Sequence, residues 1–383
     1  MAKDTPRGRR ALLALLVQAF LGCHTTDVVG TVTGDLGDAP PDQAQSGNPN
    51  NPDLAGSQDY CAGQGPPVLV TPQGGQAGQA CTGRLAQVAF RYGLCTCSAF
   101  NAGAAVTVDS YDSQRAMSPG SLGGSVGLNG SMSTSQAVDI GGSLWIGSAN
   151  GANFTSLRVG QELRSASSTT GSVRLSVGSN AYVNGDVNLG GALEVGGILT
   201  VPAGRTISAP MLNAPRVVRA PVTVPPPCDC SPESQIDIAG YLKSYQASND
   251  NKAIFLDPER LINFNSDTTL TLPCGRYYLS AVNGSAALTL KIDGRVALFI
   301  GGDMTLPKDF TVTLGAAGQL DLFIGGTINA GGNLNLGTPE TASRLRIYVN
   351  SESGLALSGA VTLAGNLYAP KANLNVGGAL TVY

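Results

Sequence analysis

Histidine, the residue most often used for acid–base and metal chemistry, is almost missing from this chain. Among 383 residues there is one, His24, in an N-terminal segment rich in Asp, Gly and Pro. Ser-His-Asp and Cys-His catalysis need a histidine held against a nucleophile by a folded framework, and many zinc sites use histidine as a ligand. The sequence therefore excludes His-based mechanisms, and only carboxylates and cysteines remain as candidates.

Four carboxylates fall in strands or turns of the kind that carry catalytic acids in solenoid polysaccharide lyases and glycosidases: Asp186, Glu194, Asp303 and Asp321. Asp186 and Glu194 lie at outward strand positions, where charge also gives solubility, and Asp303 follows a Gly pair as an ordinary turn residue. Glycoside hydrolysis requires two carboxylates close together, and no two of these four have a sequence spacing that would force them together. We therefore predict no catalytic residue, and a carbohydrate-active β-helix enzyme, a lyase or a glycosidase, is the alternative hypothesis.

Cofactor and nucleic-acid sites are not predicted either. Asn249, Asp250, Asn251 and Asp257 loosely resemble Ca²⁺ ligands, but they lack EF-hand spacing and a bidentate Glu, and a loop that ends a helix explains them. The glycine pairs lack the nucleotide-binding pattern with a following helix. The net charge of −3, with no basic run beyond the N-terminus, argues against nucleic acid as a partner.

Seven cysteines follow Cys23 and are disulfide candidates: Cys61, Cys81, Cys95, Cys97, Cys228, Cys230 and Cys274. In an exported protein the expected state is disulfides, and connectivity cannot be deduced from sequence. The Cys-x-Cys pairs 95/97 and 228/230 leave a Cys₄ zinc site as the less favoured alternative. An odd number leaves one thiol free, paired between molecules, or without its partner.

The N-terminus predicts export. A positive region that ends at Arg10 precedes the apolar run 11–21, which is too short to span a bilayer and reads as a signal peptide over residues 1–22. Gly22-Cys23 resembles a bacterial lipobox, which makes Cys23 the predicted lipid anchor. Phe20 and Leu21 depart from the usual pattern, so an ordinary signal peptide and a periplasmic or secreted protein remain the alternative. His24 stands where an inner-membrane retention signal has Asp, which favours the outer membrane and cell surface.

Composition and alternation predict the framework. Charged residues make up 13 %, aromatic residues 5 %, and there are 51 glycines, which is typical of an all-β protein with short strands. In 185–202 three Gly-led hexads place Val187, Leu193 and Leu199 six residues apart, and their partners two residues later share the same face. Val173, Leu175 and other earlier residues read as rungs of the same kind. The pattern indicates a right-handed parallel β-helix, or β-solenoid.

The second half repeats the pattern with a longer period. Leu298-Phe-Ile-Gly-Gly302 recurs as Leu322-Phe-Ile-Gly-Gly326, a spacing that fits one turn of a three-sided solenoid. The pattern continues to Tyr383 without a capping repeat, so we expect either truncation or docking and self-association through an exposed C-terminal rung.

The predicted organisation follows from changes in composition and in the apolar pattern along the chain. Ser231-Pro232 indicates the start of a helix over 232–248, with Ile238, Leu242 and Tyr245 on one face. The segments are a signal peptide (1–22), a disordered tether (23–60), a Cys-rich segment (61–104), a first solenoid part (105–215), a Pro/Cys connector containing the helix (216–269) and a second, possibly truncated, solenoid part (270–383).

Several motifs together resemble a family of uncharacterised exported bacterial proteins, abundant in myxobacteria. They are Cys95-Thr-Cys97, Ser125-Val-Gly-Leu-Asn-Gly130, Cys228-Asp-Cys230, Pro273-Cys-Gly-Arg-Tyr-Tyr278, Val296 to Gly302, Leu320 to Gly326 and Leu367-Tyr-Ala-Pro370. The resemblance implies a C-terminal right-handed β-helix, a domain also found in pilus-associated proteins, and it brings no catalytic residues. A distant likeness to bactofilins is one of architecture only.

The expected function is accordingly structural. We expect a lipid-anchored, adhesin-like surface protein with a scaffold or adhesive role and no catalysis. Its expected partners are the membrane through Cys23 and envelope polysaccharide or other surface proteins, and an outward Trp145 offers a surface for stacking on a sugar ring. A self-assembling envelope or pilus-associated component is a further alternative.

Overall fold

The computed structural model describes Cys61 and residues 92–109, 123–232 and 235–383. These residues form a three-faced parallel β-solenoid, as predicted, in which every strand pairs with the strand of the neighbouring turn. The predicted signal peptide, the lipid anchor Cys23, the tether and Cys81 lie outside the described residues.

Each turn of the solenoid contributes one short strand to each face. In axial order the first face contains β18 (Ile262–Phe264), β21 (Val282–Gly284), β24 (Met304–Leu306), β27 (Ile328–Ala330), β30 (Leu355–Leu357), β33 (Leu374–Val376), β2 (Phe100–Ala102), β5 (Met132–Thr134), β8 (Ala152–Val159), β10 (Thr169–Val177), β12 (Val187–Leu189) and β15 (Ile207–Ser208). The second face contains β19 (Thr268–Leu272), β22 (Leu288–Ile292), β25 (Phe310–Leu314), β28 (Leu334–Leu336), β31 (Val361–Leu363), β34 (Leu380–Val382), β3 (Val106–Val108), β6 (Ala137–Ile140), the second halves of β8 and β10, β13 (Ala192–Val195) and β16 (Met211–Asn213). The third face contains β20 (Gly275–Leu279), β23 (Arg295–Ile300), β26 (Gln319–Ile324), β29 (Leu345–Val349), β32 (Asn366–Tyr368), β1 (Leu94–Thr96), β4 (Val126–Leu128), β7 (Leu144–Ile146), β9 (Leu163–Ser165), β11 (Ala181–Val183), β14 (Ile198–Val201) and β17 (Arg216–Arg219).

The C-terminal rung stacks on the first rung of the N-terminal stretch, a contact that we call the joint. β33 pairs with β2, with Leu374 opposite Phe100, and β34 pairs with β3, with Leu380 opposite Val106. β33 and β34 also pair with β30 and β31 on their other edges. The C-terminal rung is therefore not exposed, and the expectation that it would be is wrong. The two stretches therefore form one solenoid, in which the C-terminal half precedes the N-terminal half along the axis.

The alternation of side chains fills the interior as the hexads predict. Val187, Leu193 and Leu199 are all buried in one continuous core. Each hexad forms one face, so that three hexads make one turn. The prediction that Val173 is an inward rung residue is wrong, because the register shifts between Gly171 and Arg174 and leaves Val173 54 % exposed.

Glycine is required where successive corners stack most closely. A Cβ on Gly178 would lie 2.1 Å from the carbonyl oxygen of Gly160, which is far inside van der Waals contact. The corners at Gly160 and Gly178 lie so close together that any side chain at position 178 would push the two turns apart.

The α-helix α1 (Ile238–Ala247) lies outside the solenoid and covers the third face of its C-terminal half. It begins later than predicted, because Asp237 and not Ser231 caps it by accepting a hydrogen bond from the Gly240 N–H at 3.0 Å. The predicted face is confirmed, since Ile238, Leu242 and Tyr245 are buried together with Tyr241. Short 3₁₀ helices occupy Asn251–Ile254 and Pro339–Arg344.

The connector between β17 and α1 runs back along the third face and is fixed at the joint. Pro227 lies over Gly127 and Gly147 of the outer surface. The disulfides Cys95–Cys228 and Cys97–Cys230 then tie the connector to β1, beside which Asn129 exchanges two hydrogen bonds with the Cys228 backbone. A third disulfide, Cys61–Cys274, reaches the first rung of the C-terminal half.

These positions change the predicted segment boundaries. In the part of the chain that the structure describes, the first solenoid strand starts at Leu94, inside the predicted Cys-rich segment. The last strand before the connector ends at Arg219, and strands resume at Ile262, before the predicted residue 270. Among the described residues, no helix is both long and apolar enough to cross a membrane.

Candidate binding surface

The second face carries a ladder of small neutral side chains on its outer surface. Seven consecutive turns place Thr269, Thr289, Thr311, Asn335, Thr362, Thr381 and Thr107 in direct register. Because successive strands lie about 4.8 Å apart, these hydroxyl and amide groups repeat at that interval across the joint. Beyond Thr107 the ladder becomes charged, with Asp139 and then Arg158.

The first face carries a second neutral ladder that runs nearly the whole length of the described solenoid. Its outward residues in register are Asn283, Thr305, Asn329, Ala356, Asn375, Asn101, Ser133, Asn153, Thr170, Asn188 and Ser208. At the joint the amide of Asn101 donates to the side-chain oxygen of Asn375 at 3.1 Å. We call this ladder and that of the second face the neutral ladders.

A shallow concavity of about 420 Å³ crosses the joint on the first face. It is lined by Asn101, Ser133 and Asn375 from the ladder, and by small residues of the adjoining corners. No ionisable side chain lines it. The concavity therefore offers hydrogen bonds and apolar contact, but no acid or base for proton transfer.

The carboxylates that the sequence singles out each bind a partner within the solenoid. Asp303 accepts a hydrogen bond from the Thr327 N–H of the next turn at 2.8 Å, and Glu194 pairs with Arg174. Asp186 accepts from the N–H and hydroxyl of Thr206, and these bonds, with the charge of nearby Arg205, lower its pKa. These side chains close corners or pair strands, and none of them is brought next to another of the four.

Asp321 is the one candidate that is buried, and it lies under α1 on the third face. Its side chain, 4 % exposed, forms a bidentate ion pair with Arg346, which is directly opposite in register on β29. Burial lowers the pKa of the Arg346 guanidinium, but the charge and hydrogen bonds of Asp321 outweigh it, so the net pKa is raised. Tyr348 beside the pair is also buried, and burial raises its pKa.

A column of stacked rings packs beside this ion pair. Tyr245 of α1 stacks on Phe299, Phe299 on Phe323, and Phe323 on Tyr348, with centroid separations of 4.1, 4.9 and 4.5 Å. The column and the apolar side of α1 form a second core outside the solenoid. Asp321 therefore has a structural environment that is closed to solvent.

The oxygen-rich segment 249–251 caps the first turn instead of presenting its oxygens to a metal. The Asn251 amide donates to the Tyr278 carbonyl and accepts from the Tyr278 N–H, at 2.8 and 2.9 Å. Asp250 similarly accepts from the Arg276 N–H, and its own N–H donates to the Arg276 carbonyl. Asp257 accepts from the Glu259 N–H. The bonds of Asp250 and Asn251 satisfy the otherwise open edge of β20, whereas that of Asp257 closes a local turn.

Trp145 lies on the outer surface of the third face and is half-buried. The guanidinium of Arg164 lies 4.9 Å from the Trp145 ring centroid and 4.6 Å from that of Tyr182, so it is held between the two rings of neighbouring turns. Arg164 also pairs with Glu162. Because the guanidinium already occupies one face of each ring, the stack holds neighbouring turns together.

Comparison with known proteins finds one family match, in the C-terminal part of the chain. Residues 229–383 match a protein family described as a domain of unknown function (DUF7305). The match covers the end of the connector, α1 and the whole C-terminal half of the solenoid, and it fits a β-helix family. No curated protein and no solved structure matches the chain.

Proposed function

We propose that this chain is an exported, lipid-anchored β-solenoid that serves as a structural or adhesive rod at the cell surface. The observation that supports this function best is the pair of neutral ladders, which present amide and hydroxyl groups at a constant interval over many turns. The four candidate carboxylates bind the solenoid's own groups, which favours a binding surface over an active site.

The chemistry of the ladders suits a neutral, hydroxyl-rich polymer. Thr, Ser and Asn both donate and accept hydrogen bonds, as sugar hydroxyls do, and they lose little side-chain entropy when they are held on a strand. A polymer that lies along the axis would contact several turns at once, so weak single contacts would add through multivalency. Envelope polysaccharide is therefore the proposed partner.

Replacing threonines of the second-face ladder is expected to weaken polysaccharide binding. A Thr107→Glu/Thr362→Glu/Thr381→Glu variant should bind insoluble neutral glucans, such as cellulose and dextran beads, at least about tenfold more weakly. The reason is that binding would have to remove water from carboxylates on three adjacent turns, and a neutral glucan offers no counter-charge that offsets this cost. The measurement is a depletion isotherm on the beads. A matched control, Ser176→Glu, puts charge at the already charged end of the same face. Equal binding by all three proteins would contradict the adhesive surface.

Export and anchoring rest on the N-terminus and agree with three disulfides, which persist in oxidising compartments. The proposed acylation of Cys23 would hold the chain at a membrane surface. The resemblance to a family of uncharacterised exported bacterial proteins supports the same location.

Removing the proposed anchor is expected to release the protein. In cell fractionation, the Cys23→Ala variant should move from the membrane to the soluble fraction and lose metabolic labelling by fatty acid. Cys81→Ala is the matched cysteine control and should stay with the membrane. A wild-type protein that is soluble or unlabelled would overturn the anchoring proposal while leaving the adhesive surface to its own test.

A further inference from the structure

The end of the solenoid formed by β15, β16 and β17, which we call the tail end, leaves its core uncovered. Leu212 is 46 % exposed and Val217 is 40 % exposed, whereas their register partners one turn below, Leu193 and Leu199, are 0 % and 1 % exposed. Met211 beside them is 61 % exposed. Within the described parts of the chain, no strand pairs with the outer edges of these three strands. The tail end is therefore an apolar surface rimmed by open strand edges.

The tail end is also strongly basic. Residues 203–220 contain Arg205, Arg216 and Arg219, all exposed, and no carboxylate. Arg219 donates to the Arg205 carbonyl at 2.8 Å, which holds its guanidinium near Arg205, and the Arg205 guanidinium itself lies 3.9 Å from Asp186. Two tail ends facing each other would bring six guanidinium groups together, which opposes a tail-to-tail contact.

The opposite end, which we call the head end, is closed by residues 249–261 and differs in charge. Leu256 and Leu261 are buried in the core, but Phe255, immediately before Leu256, is 96 % exposed and has a left-handed backbone, with φ of 55°. Residues 249–267 contain four carboxylates (Asp250, Asp257, Glu259 and Asp267) and two cations (Lys252 and Arg260). The head end thus combines an apolar knob with a net negative charge.

The joint shows that turns of this solenoid stack without a connecting chain. β2 and β3 continue the sheets of β33 and β34 in register, although the chain does not run from one set to the other. The joint therefore supplies an internal precedent for rung-to-end stacking.

We propose that the tail end of one copy binds the head end of a second copy. Phe255 enters the uncovered apolar surface at Met211, Leu212 and Val217, and the arginines of the tail face the carboxylates of the head. Because the two surfaces differ, the contact is head-to-tail, and it leads to open chains of molecules unless the geometry closes a ring.

Three variants of the full chain test the proposal by sedimentation velocity and light scattering over a concentration series. The wild type should form species larger than dimers, and Phe255→Asn should raise the apparent dissociation constant at least about tenfold. Asparagine tolerates the left-handed backbone, so the head variant should keep its fold. A tail variant, Met211→Glu/Val217→Glu, should lose assembly similarly. Val173→Asn, which removes an exposed apolar residue from the side of the solenoid, is the matched control and should assemble like the wild type.

Mixing the two variants gives the decisive result. The head variant retains an intact tail and the tail variant an intact head, so an equimolar mixture should form 1:1 dimers and nothing longer. Strict monomers of wild type at every concentration would overturn the proposal. So would assembly that persists in Phe255→Asn alone, because it would indicate a tail-to-tail or lateral contact.

Discussion

Removing both disulfides at the joint is expected to lower the free energy of unfolding by about 3–5 kcal/mol, whereas removing either one alone should cost far less. Cys95–Cys228 and Cys97–Cys230 each close a loop with a sequence separation of 133 residues. Their cysteines are only two residues apart at both ends, so the second bridge adds little constraint once the first has formed. The stabilisation should therefore be strongly non-additive.

The test compares the pair variants Cys95→Ala/Cys228→Ala and Cys97→Ala/Cys230→Ala with the quadruple variant by urea unfolding. Cysteines are removed in pairs, so that no new unpaired thiol can exchange. Cys61→Ala/Cys274→Ala is the control, because that bridge attaches at the first turn of the C-terminal half, away from the joint. Its cost should add to that of either joint pair. Equal and additive costs for the two joint bridges would contradict the shared-loop explanation.

The solenoid and most of its core can be predicted from sequence, because short strands with alternating burial produce a regular spacing of apolar residues along the chain. Val187, Leu193 and Leu199 are an example, since their spacing indicates both the face and the repeat. The joint could not be predicted in this way. Leu374 and Phe100 follow the same alternation as every other inward residue, and nothing in that pattern specifies which turn stacks on which. The same limit applies to disulfide connectivity, which depends on the path that the connector takes back along the third face.

The neutral ladders also leave a signal in the sequence. On the first and second faces, the middle residue of a three-residue strand is Thr, Asn or Ser on most turns, as in Val106-Thr-Val108 and Leu374-Asn-Val376. Asp321 is the opposite case. Its strand continues into an unbroken apolar run, Leu322-Phe-Ile324, which indicates burial on both faces and therefore a carboxylate without solvent.

Asp321→Leu is expected to destabilise the protein by about 3–5 kcal/mol, because it leaves the Arg346 guanidinium, whose side chain is only 20 % exposed, without its counter-ion. The double variant Asp321→Leu/Arg346→Met should recover most of that loss, since apolar residues of similar volume often replace a buried pair at little or no cost. The magnitude of the coupling free energy in the double-mutant cycle should then approach the summed costs of Asp321→Leu and Arg346→Met. Urea unfolding of the wild type, the two single variants and the double variant gives all of these values.

The chain offers a matched control in Asp139 and Arg158, which are also directly opposite in register on neighbouring parallel strands. Their side chains are 48 % and 63 % exposed, so Asp139→Leu should cost only about 0–1 kcal/mol. The two pairs share residue types and strand geometry and differ mainly in burial, so the difference between them measures what the cover of α1 does. Similar small costs at both sites would mean that water reaches Asp321 beneath the helix. In that case the carboxylate would have to be reconsidered as a functional group, because its exclusion from solvent is the reason for assigning it a structural role.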